Sequence, residues 1–558
     1  MAAPDDSGQS PVVRQTQYGP IEGVDDAVRS GTYYWLGVPY AKPPVGDLRW
    51  RAPMDPDRWT TLLPTKVFGN ACVQFGALIS PGRNNSFDRT IGETLDQVVG
   101  SEDCLYLNIW RPASHDSNLP VIVFIHGGFN LAGYTADPVY DGAKLAKTAN
   151  AVVVTANYRL NVFGWFSLPQ LKTGNAEEDS GNFGTLDTVK ALQWVRRNIS
   201  EFGGDASNVT LMGQSAGAWN TWVLMVAAPT RAAGLFHRIA PLSGGMSLAS
   251  NLPAGAMPAL QPAPYFAAQG KALFHNLLIA DGKAADEASA SAFVERQSSA
   301  QIADYMRGQS PSAILQTFFT KLVPVGLGAA GPIPDGVVLP LDPIAAMAAG
   351  NCAKVPVLAS NTRDETKLVA NLLALSPALG GVPGFKVSNA ELFRTLFDFD
   401  PNGATSLTSA SLLNEKYLPV DTPGTGYNAK TALLTSLWPI SNRDNVLNTL
   451  KMQQPNIWYY RFDWAREPAP WDDVYGAAHM FDLPFVFGNF GPSLFGNAIG
   501  GDANERGRVA LSEAMMASIA AFARNGDPNN ASLGVRWPTW PKTLVFDATL
   551  TDKTIRVE

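Results

Sequence analysis

Hydrophobic residues follow two patterns along the chain, apolar runs and helical spacing, and these patterns predict its main elements. Residues 119–125 are a continuous apolar run, which is typical of a strand buried on both faces of a parallel sheet, and residues 151–157 predict another buried strand. Residues 186–202 carry apolar side chains at helical spacing and are followed by a Gly–Gly pair, which predicts an amphipathic helix and its end. A short apolar run at 209–212 predicts the next strand. This order of strand, helix and strand builds a parallel sheet with right-handed crossovers.

The same patterns extend toward both ends of the chain. Alternating apolar residues at 103–112 predict a strand, and apolar runs at 355–359 and 456–464 predict two more. Residues 505–525 have the pattern of a long amphipathic helix, and the segment 245–350 is rich in Ala and broken by Pro. We therefore predict an α/β fold with a large, mostly parallel central sheet, helices on both faces and helical excursions over the site.

The composition excludes several classes of function. Hydrophobic residues make up 46% and charged residues 16% of the 558 positions, which fits a large core. A net charge of −7 leaves no basic face for nucleic acid or acidic lipid. No apolar run reaches the ~18–20 residues of a membrane span, so we expect no stable membrane insertion. Because no linker or repeat is visible, we predict a single domain over residues 11–558 after a flexible tail at 1–10.

The most informative stretch is the turn GQSAG at residues 213–217, which follows a predicted strand and precedes residues that can be helical. A serine at such a sharp turn is held in strained backbone geometry, so the residues two before and two after it must be small. The glycines at both ends of the turn meet this requirement. The geometry exposes the Ser215 hydroxyl and places the N–H of Ala216 beside it. The stretch therefore predicts a nucleophilic serine.

A serine hydroxyl is a poor nucleophile at neutral pH and needs a base, which in turn needs an orienting acid. On this type of sheet the partners follow in the order serine, acid, histidine, each on a loop after a later strand. His479 fits this order, because it lies on a loop of small residues after the strand predicted at 456–464. The other four histidines either precede the serine or lie in apolar surroundings that read as helical, without a strand before them: His115, His126, His237 and His275.

The orienting acid must lie between Ser215 and His479, on a loop after a strand. Asp364 and Glu365 follow the strand predicted at 355–359 and both meet this requirement. Because the two residues are adjacent, their spacing alone cannot choose between them. The other member of the pair is interpreted as a solvated or salt-bridged loop carboxylate.

The tetrahedral intermediate of acyl transfer needs backbone N–H donors for its oxyanion. The segment HGGF at residues 126–129 follows a buried strand and can supply them, with the N–H of Ala216 as the remaining donor. His126 itself is interpreted as a structural hydrogen-bonding residue rather than a catalyst.

Taken together, these motifs give the chain a plain resemblance to a known family. It resembles a type-B carboxylesterase, of the carboxylesterase, lipase and cholinesterase family, which has the α/β-hydrolase fold. The similarity runs from about Val12 to Trp540. It is carried by GVPYAKPPVGDLRW (37–50), EDCLYLNIW (102–110), FIHGG (124–128), NYRLNVFGW (157–165), the stretch 181–218 that contains GQSAGA, GLFHRI (234–239), TRDE (362–365), GAAHMFDLPFVFG (476–488) and RNGDPN (524–529).

The resemblance implies roles for individual residues. Ser215 takes the place of the nucleophile and His479 that of the base. Glu365 takes the place of the acid, which decides between the adjacent pair. Ser243 matches a family serine that helps to hold the acid. The implied reaction needs no metal or organic cofactor, and the implied partner is a small-molecule ester.

Three cysteines leave two interpretations open by spacing alone, namely a bridge between Cys72 and Cys104 or three reduced thiols. The resemblance favours the bridge, because both residues fall where the family has its first disulfide, and it leaves Cys352 as a buried free thiol. A disulfide indicates an oxidising compartment. We therefore expect a secreted or periplasmic protein whose signal peptide is absent or already removed.

The chain departs from the family pattern at three positions. Gln214 stands where the family usually has Glu, so a negative charge beside the nucleophile is missing. Thr366 stands where the acid is usually followed by Gly. Phe129 stands at the third glycine of the common HGGGF segment, which narrows the space around the ester carbon. We therefore expect poor turnover of esters of tertiary alcohols.

The oxyanion donors depend on how the HGGF segment is aligned with the family. Without a gap they are the N–H groups of Gly128, Phe129 and Ala216, whereas a one-residue deletion would make them Gly127 and Gly128. We favour the ungapped alignment because Gly133 then also falls in register.

Trp219 and Trp222 follow the turn one helical turn apart. Core packing is the favoured interpretation, and the alternative is that one of them lines the acyl pocket.

The sequence therefore predicts a serine carboxylic-ester hydrolase in which Ser215 forms an acyl-enzyme, His479 is the general base and acid, and Glu365 orients it. An amidase or thioesterase on the same scaffold is the first alternative. A non-catalytic binding member of the family is the second, and it is disfavoured because all three residues are present.

Overall fold

The computed structural model describes residues 10–227 and 232–558. Its strands are β1 (Val13–Gln15), β2 (Pro20–Glu22), β3 (Val24–Asp26), β4 (Thr32–Pro39), β5 (Leu63–Pro64), β6 (Gln74–Phe75), β7 (Val98–Val99), β8 (Tyr106–Pro112), β9 (Leu119–Ile125), β10 (Val152–Ala156), β11 (Gly204–Gln214), β12 (Arg238–Leu242), β13 (Val357–Thr362), β14 (Ile457–Phe462), β15 (Leu544–Ala548) and β16 (Lys553–Val557).

From β9 to β15, every connection between consecutive strands contains at least one α-helix. The α-helices are α1 (Ile91–Thr94), α2 (Ala143–Ala149), α3 (Asn161–Gly164), α4 (Ala176–Asp179), α5 (Phe183–Asn198), α6 (Ala216–Ala227), α7 (Ala263–Ala280), α8 (Glu287–Glu295), α9 (Ser299–Gly308), α10 (Pro311–Thr317), α11 (Pro343–Ala348), α12 (Asn389–Asp398), α13 (Ser409–Leu412), α14 (Tyr427–Thr435), α15 (Ser441–Lys451), α16 (Trp471–Val474), α17 (Leu483–Phe487), α18 (Gly496–Ile499) and α19 (Glu505–Asn525).

One sheet holds eleven of the strands, in the order β16-β15-β14-β13-β12-β11-β9-β10-β8-β4-β3. The seven strands from β15 to β10 run parallel to their neighbours. At both ends of the sheet the pairs are antiparallel. The prediction of a large, mostly parallel sheet is confirmed, and β9 has the predicted bounds.

The side chains of β9 show that the sheet is covered on both faces. Val121, Val123 and Ile125 pack into one apolar core with α5 and α6. Ile122 and Phe124 pack into a second core with α2, α17 and α19. Successive side chains of a strand point to opposite faces, so a continuous apolar run is what a strand between two helical layers requires.

The Ala-rich segment forms helices α7 to α11, as predicted. Helices α7 to α10 enclose a third apolar core, which they share with Trp50, Phe163 and Phe166 from earlier in the chain. Phe266 of α7 and Ile344 and Met347 of α11 belong to the first core, so the segment also packs directly against the body of the molecule.

Several elements differ from the predictions. Strand β11 begins at Gly204 rather than at residue 209, and β12, β15 and β16 were not predicted. Strand β12 is short and contains Pro241, which has no N–H and weakens the signal of a strand. His237 lies directly before β12, so its surroundings are not helical. The predicted tail at residues 1–10 lies, apart from residue 10, outside the described residues.

The cysteines have the predicted arrangement. Cys72 and Cys104 form a disulfide, and Cys352 is a buried free thiol. The bridge restricts the conformations of the unfolded chain more than those of the folded chain. Within residues 10–227 and 232–558, no helix has the length and apolar character that a membrane crossing requires.

Candidate functional site

Ser215 lies between β11 and α6 in a left-handed conformation, with φ of +59°. Its N–H donates to the carbonyl of Leu242 in β12 at 2.9 Å. Its own carbonyl accepts the N–H groups of Ala218 and Trp219, which belong to the first turn of α6. A non-glycine residue rarely adopts positive φ, and this strained turn is therefore fixed by hydrogen bonds on both sides.

The two flanking glycines are required by close backbone contacts. A Cβ atom on Gly213 would lie 2.3 Å from the carbonyl oxygen of Gly217. A Cβ atom on Gly217 would lie 2.0 Å from the carbonyl oxygen of Ile125 at the end of β9. No side chain fits at either position, which agrees with the prediction that the residues two before and two after the serine must be small.

The structure brings His479 and Glu365 together. Nδ1 of His479 lies 2.5 Å from Oε2 of Glu365. The backbone N–H of His479 also donates to the backbone carbonyl of Glu365, at 3.2 Å. The other carboxylate oxygen accepts the side-chain amide of Asn361 and the N–H of Thr362, both at 2.9 Å. Burial alone would raise the pKa of Glu365, but His479 and these hydrogen bonds outweigh it and hold the pKa below its ordinary value.

The adjacent carboxylate points elsewhere. Asp364 forms an ion pair with Arg363 at 2.7 Å and accepts the N–H of Ala477 at 3.0 Å. It therefore supports the loop that carries His479 without contacting the ring. The geometry separates the two acids that spacing alone could not separate.

Ser243 lies on the cleft beside Glu365, in a left-handed conformation with φ of +53°. Its hydroxyl lowers the pKa of the Glu365 carboxyl, although its oxygen completes no hydrogen bond with any residue in the described ranges. A support of Glu365 by Ser243 stays a prediction.

The second ring nitrogen of His479, Nε2, lies 3.1 Å from Nε2 of Gln214. An amide nitrogen only donates, so the ring nitrogen is the acceptor and Nδ1 carries the proton directed at Glu365. Ser215 and His479 line one cleft, but in the described part of the chain the Ser215 hydroxyl forms no hydrogen bond with the ring. The Gln214 amide therefore occupies Nε2 of His479, the atom that would have to accept the proton of a serine nucleophile.

The predicted oxyanion segment passes beside the serine. A Cβ atom on Gly127 would lie 2.8 Å from Cβ of Ser215. Gly128 and Phe129 both have positive φ, of +105° and +57°. Among the described residues, no acceptor takes the N–H groups of Gly128, Phe129 or Ala216. Three unpaired donors therefore lie on the two segments that flank the hydroxyl.

His126 has the structural role that was expected. Its ring is buried against Tyr158, with 4.6 Å between the ring centroids, and Nδ1 lies 2.8 Å from the Gly127 carbonyl. Burial lowers the pKa of His126 to about 4, so the ring stays neutral near neutral pH.

A larger cavity, of about 320 Å³, opens beside the cleft. Phe129, Trp219, Ala259 and Trp438 line both spaces and form the wall between them. The Phe129 ring stacks on Trp438 at 5.7 Å and meets Trp219 edge-on at 6.1 Å. None of the described residues that line the cavity carries a charge.

The two tryptophans of α6 have different surroundings. Trp219 is 9% exposed and lines the cavity, whereas Trp222 is 1% exposed and donates its indole N–H to the Gly244 carbonyl. We therefore assign Trp222 to the core. Of the two tryptophans that were considered as possible lining of the pocket, Trp219 alone lines the cavity. The two positions are only about 60° apart around the helix, so they share one face of α6 and differ in the neighbours that each side chain meets.

Some residues of the site carry no sequence signal. Trp438, Ala259 and the loop at 328–332 reach the cavity from segments without a recognisable motif. Gln214 was noticed only as a departure from the family pattern, and its contact with His479 follows from the fold. Among the described residues, no group of three or more His, Cys, Asp or Glu side chains is arranged to hold a metal ion.

Known proteins resemble this chain over almost its whole length. A sequence model described as the Carboxylesterase family matches residues 9–554. The chain is 31% identical to the para-nitrobenzyl esterase of Bacillus subtilis (strain 168) over 541 residues, which covers 96% of this chain and 95% of that protein. It is 31% identical to the cocaine esterase of Homo sapiens over 551 residues, which covers 95% and 85%.

Solved structures give the same result. A para-nitrobenzyl esterase structure has a TM-score of 0.70 and 28% identity, and the match covers 98% of this chain and 97% of that one. A carboxylesterase of Geobacillus stearothermophilus has a TM-score of 0.70 and 28% identity, with 98% of both chains covered.

Proposed function

The chain belongs to the carboxylesterase family and is a carboxylesterase with the predicted α/β-hydrolase fold, and we propose that it hydrolyses small-molecule esters through an acyl-enzyme on Ser215. The observation that carries the proposal is the contact of 2.5 Å between Nδ1 of His479 and the buried Glu365, in the cleft that Ser215 also lines. A base held by its own acid is what turns a serine hydroxyl into a nucleophile.

In the proposed first step, the Gln214 amide leaves Nε2 of His479, which then takes the proton of the Ser215 hydroxyl while Oγ bonds to the ester carbonyl carbon. Glu365 keeps the ring in the required tautomer and stabilises the imidazolium. The oxyanion accepts the N–H groups of Gly128, Phe129 and Ala216, for which no acceptor is found among the described residues. The bond to the alkoxide then breaks, and the alkoxide takes the proton from His479. Water, deprotonated by the same imidazole, releases the acid and restores the serine.

We further propose that the cavity beside the cleft holds a neutral, apolar group of the ester. Apart from the amide of Gln261, the described residues that line it have apolar side chains or are glycine, and none of them carries a charge. An ionic group would lose its hydration there without gaining a counter-charge, whereas an apolar group gains by leaving water.

Two alternatives use the same residues. An amidase or thioesterase would share the triad, and a panel of ester, amide and thioester donors of one acyl group separates these activities. A binding protein without catalysis is disfavoured by the intact Ser215, Glu365 and His479.

The disulfide between Cys72 and Cys104 supports a location outside the reducing cytosol, and we propose a secreted or periplasmic protein. We also propose that residues 11–558 act as one catalytic domain.

The first prediction tests the triad with a matched pair of acids. Ser215→Ala is expected to lower kcat by about 10⁴-fold or more, and Glu365→Gln by about 10³-fold to 10⁴-fold. The control Asp364→Asn removes the same charge from the neighbouring residue and is expected to keep kcat within a few-fold. An organophosphate should label the unmodified protein once per chain and leave Ser215→Ala unlabelled. Equal losses in Asp364→Asn and Glu365→Gln would contradict the assignment of the acid.

The second prediction concerns the contact between Gln214 and His479. In Gln214→Glu a carboxylate faces the ring and stabilises its protonated form, which cannot act as a base. The acid limb of the profile of kcat/KM against pH should therefore move to higher pH by about one unit. Gln214→Met has a similar size without charge and should keep the acid limb near its original position. An unmoved acid limb in Gln214→Glu would show that the two side chains are not in contact.

The third prediction concerns the space around the ester carbon. With Phe129 in place, tert-butyl acetate should react far more slowly than n-butyl acetate. Phe129→Gly removes the ring and tolerates the positive φ at this position, so the rate ratio should shift toward the tertiary ester by at least about tenfold. Phe129→Tyr keeps the bulk and serves as the control. Brisk hydrolysis of tert-butyl acetate by the unmodified protein would refute the narrowing.

The fourth prediction tests the cavity. A phenylbutyl group on either the acyl or the alcohol side should raise kcat/KM over a methyl group by about tenfold or more. A trimethylammonium or carboxylate group at the end of the same chain should remove that gain. Ala330→Phe fills the cavity and should abolish the preference while leaving methyl acetate hydrolysis unchanged. The proposal fails if the ionic and neutral chains react equally well.

A further inference from the structure

The residue that follows Phe129 links several parts of the site. Asn130 is fully buried and, like Phe129, has a left-handed backbone, with φ of +58°. We infer that Asn130 is a positioning residue that holds the oxyanion donors of the loop in register with the helix that follows the nucleophile. The inference rests on the proposed function.

The side-chain oxygen of Asn130 connects the loop to α6. Oδ1 accepts the side-chain amide of Asn220 at 3.0 Å and the hydroxyl of Tyr158 at 3.2 Å. Asn220 lies on α6, four residues after Ala216, whose N–H is the third proposed donor. The single proton of the Tyr158 hydroxyl is shared between Oδ1 of Asn130 and the His126 carbonyl, which lies 2.8 Å away at the start of the same loop. Both halves of the donor set are thus tied to one amide oxygen.

The nitrogen and the backbone of Asn130 extend these connections. Nδ2 donates to the carbonyl of Ala330 at 3.4 Å, on the loop that lines the cavity. A Cβ atom on Gly331 would lie 3.0 Å from Nδ2, so that loop packs closely on the amide. The backbone carbonyl of Asn130 accepts the N–H of Asn161 at 2.7 Å. The loop is therefore held from the cavity side as well as from the helix.

These contacts have a mechanical reason. Two consecutive non-glycine residues with positive φ are unfavourable, and Asn is one of the few residue types that tolerate this region. Without the bonds of its side chain the segment is free to relax toward ordinary backbone angles. Such a relaxation turns the Phe129 N–H away from the oxyanion. Because the donors act on charge that develops in the transition state, the loss falls on kcat rather than on substrate binding.

The test uses Asn130→Gly, which tolerates positive φ and lacks the side chain. We expect kcat to fall by about 10-fold to 100-fold with KM changed less than about threefold. Affinity for a trifluoromethyl ketone, whose adduct with the serine places an oxyanion among the donors, should fall in parallel. Asn220→Ala should give the same pattern, and the double variant should lose less than the sum of the two losses. If Asn130 had a purely structural role, the variants would lose thermal stability, but kcat and inhibitor affinity would not fall in parallel.

A matched control is Asn84→Gly, which changes an exposed asparagine with positive φ of +55° that takes part in none of these hydrogen bonds and should leave all parameters unchanged. Unchanged kcat and inhibitor affinity in Asn130→Gly, or a fall in kcat without a fall in affinity, would overturn the inference. If Asn130→Gly does not fold, Asn220→Ala decides by the same criteria. Failure of the proposed function is distinguishable, because Ser215→Ala would then retain activity.

Discussion

The close backbone contact at the turn between β11 and α6 is the constraint on which the rest of the site depends. Gly217 packs on the carbonyl of Ile125 with no room for a side chain, and Gly213 packs on Gly217. These contacts bring the start of α6 against the end of β9. As a result, Ser215, the N–H of Ala216 and the loop after β9 lie at one edge of the sheet. Larger residues at either glycine would separate the nucleophile from its proposed donors.

Parallel strands provide the second condition. Strands β11, β13 and β14 run in the same direction, so the segments that follow them all emerge at one edge of the sheet. Ser215 follows β11, Glu365 follows β13, and His479 lies on the long loop after β14. Residues far apart in the chain therefore meet without strain in the connections. An isolated bridge between Asp364 and Ala478 fixes the last two segments to each other.

Burial sets the electrostatics of the site. Glu365 keeps its charge in an apolar environment because His479, Asn361 and Thr362 hydrogen-bond to it. Asp482 is also buried and accepts the hydroxyl of Tyr460, and burial together with the charge of Glu365 raises its pKa to about 6. Two nearby carboxyl groups thus differ in their pKa because one is bonded to several donors and the other has fewer.

The sequence by itself predicted a mostly parallel sheet, although not its strands β12, β15 and β16, and it predicted the turn, the candidate serine and the candidate base. Continuous apolar runs mark strands that lie between two helical layers, and close backbone contact leaves glycine as the sole residue that fits at 213 and 217. The elimination of four histidines left His479 because the order of loops follows the order of strands. These features are local or topological, so they are visible along the chain.

Only the tertiary structure decided how side chains meet across distant segments. It directed the side chain of Glu365 at His479 and that of Asp364 at Arg363, placed Gln214 against His479, and showed that Trp219 lines the cavity while Trp222 lies in the core. It also brought Trp438 and the loop at 328–332 into the wall of the cavity. Neither segment has a periodicity or motif that encodes this contact. The physical reason is that rotamers and loop packing depend on neighbours that are hundreds of residues away in the chain.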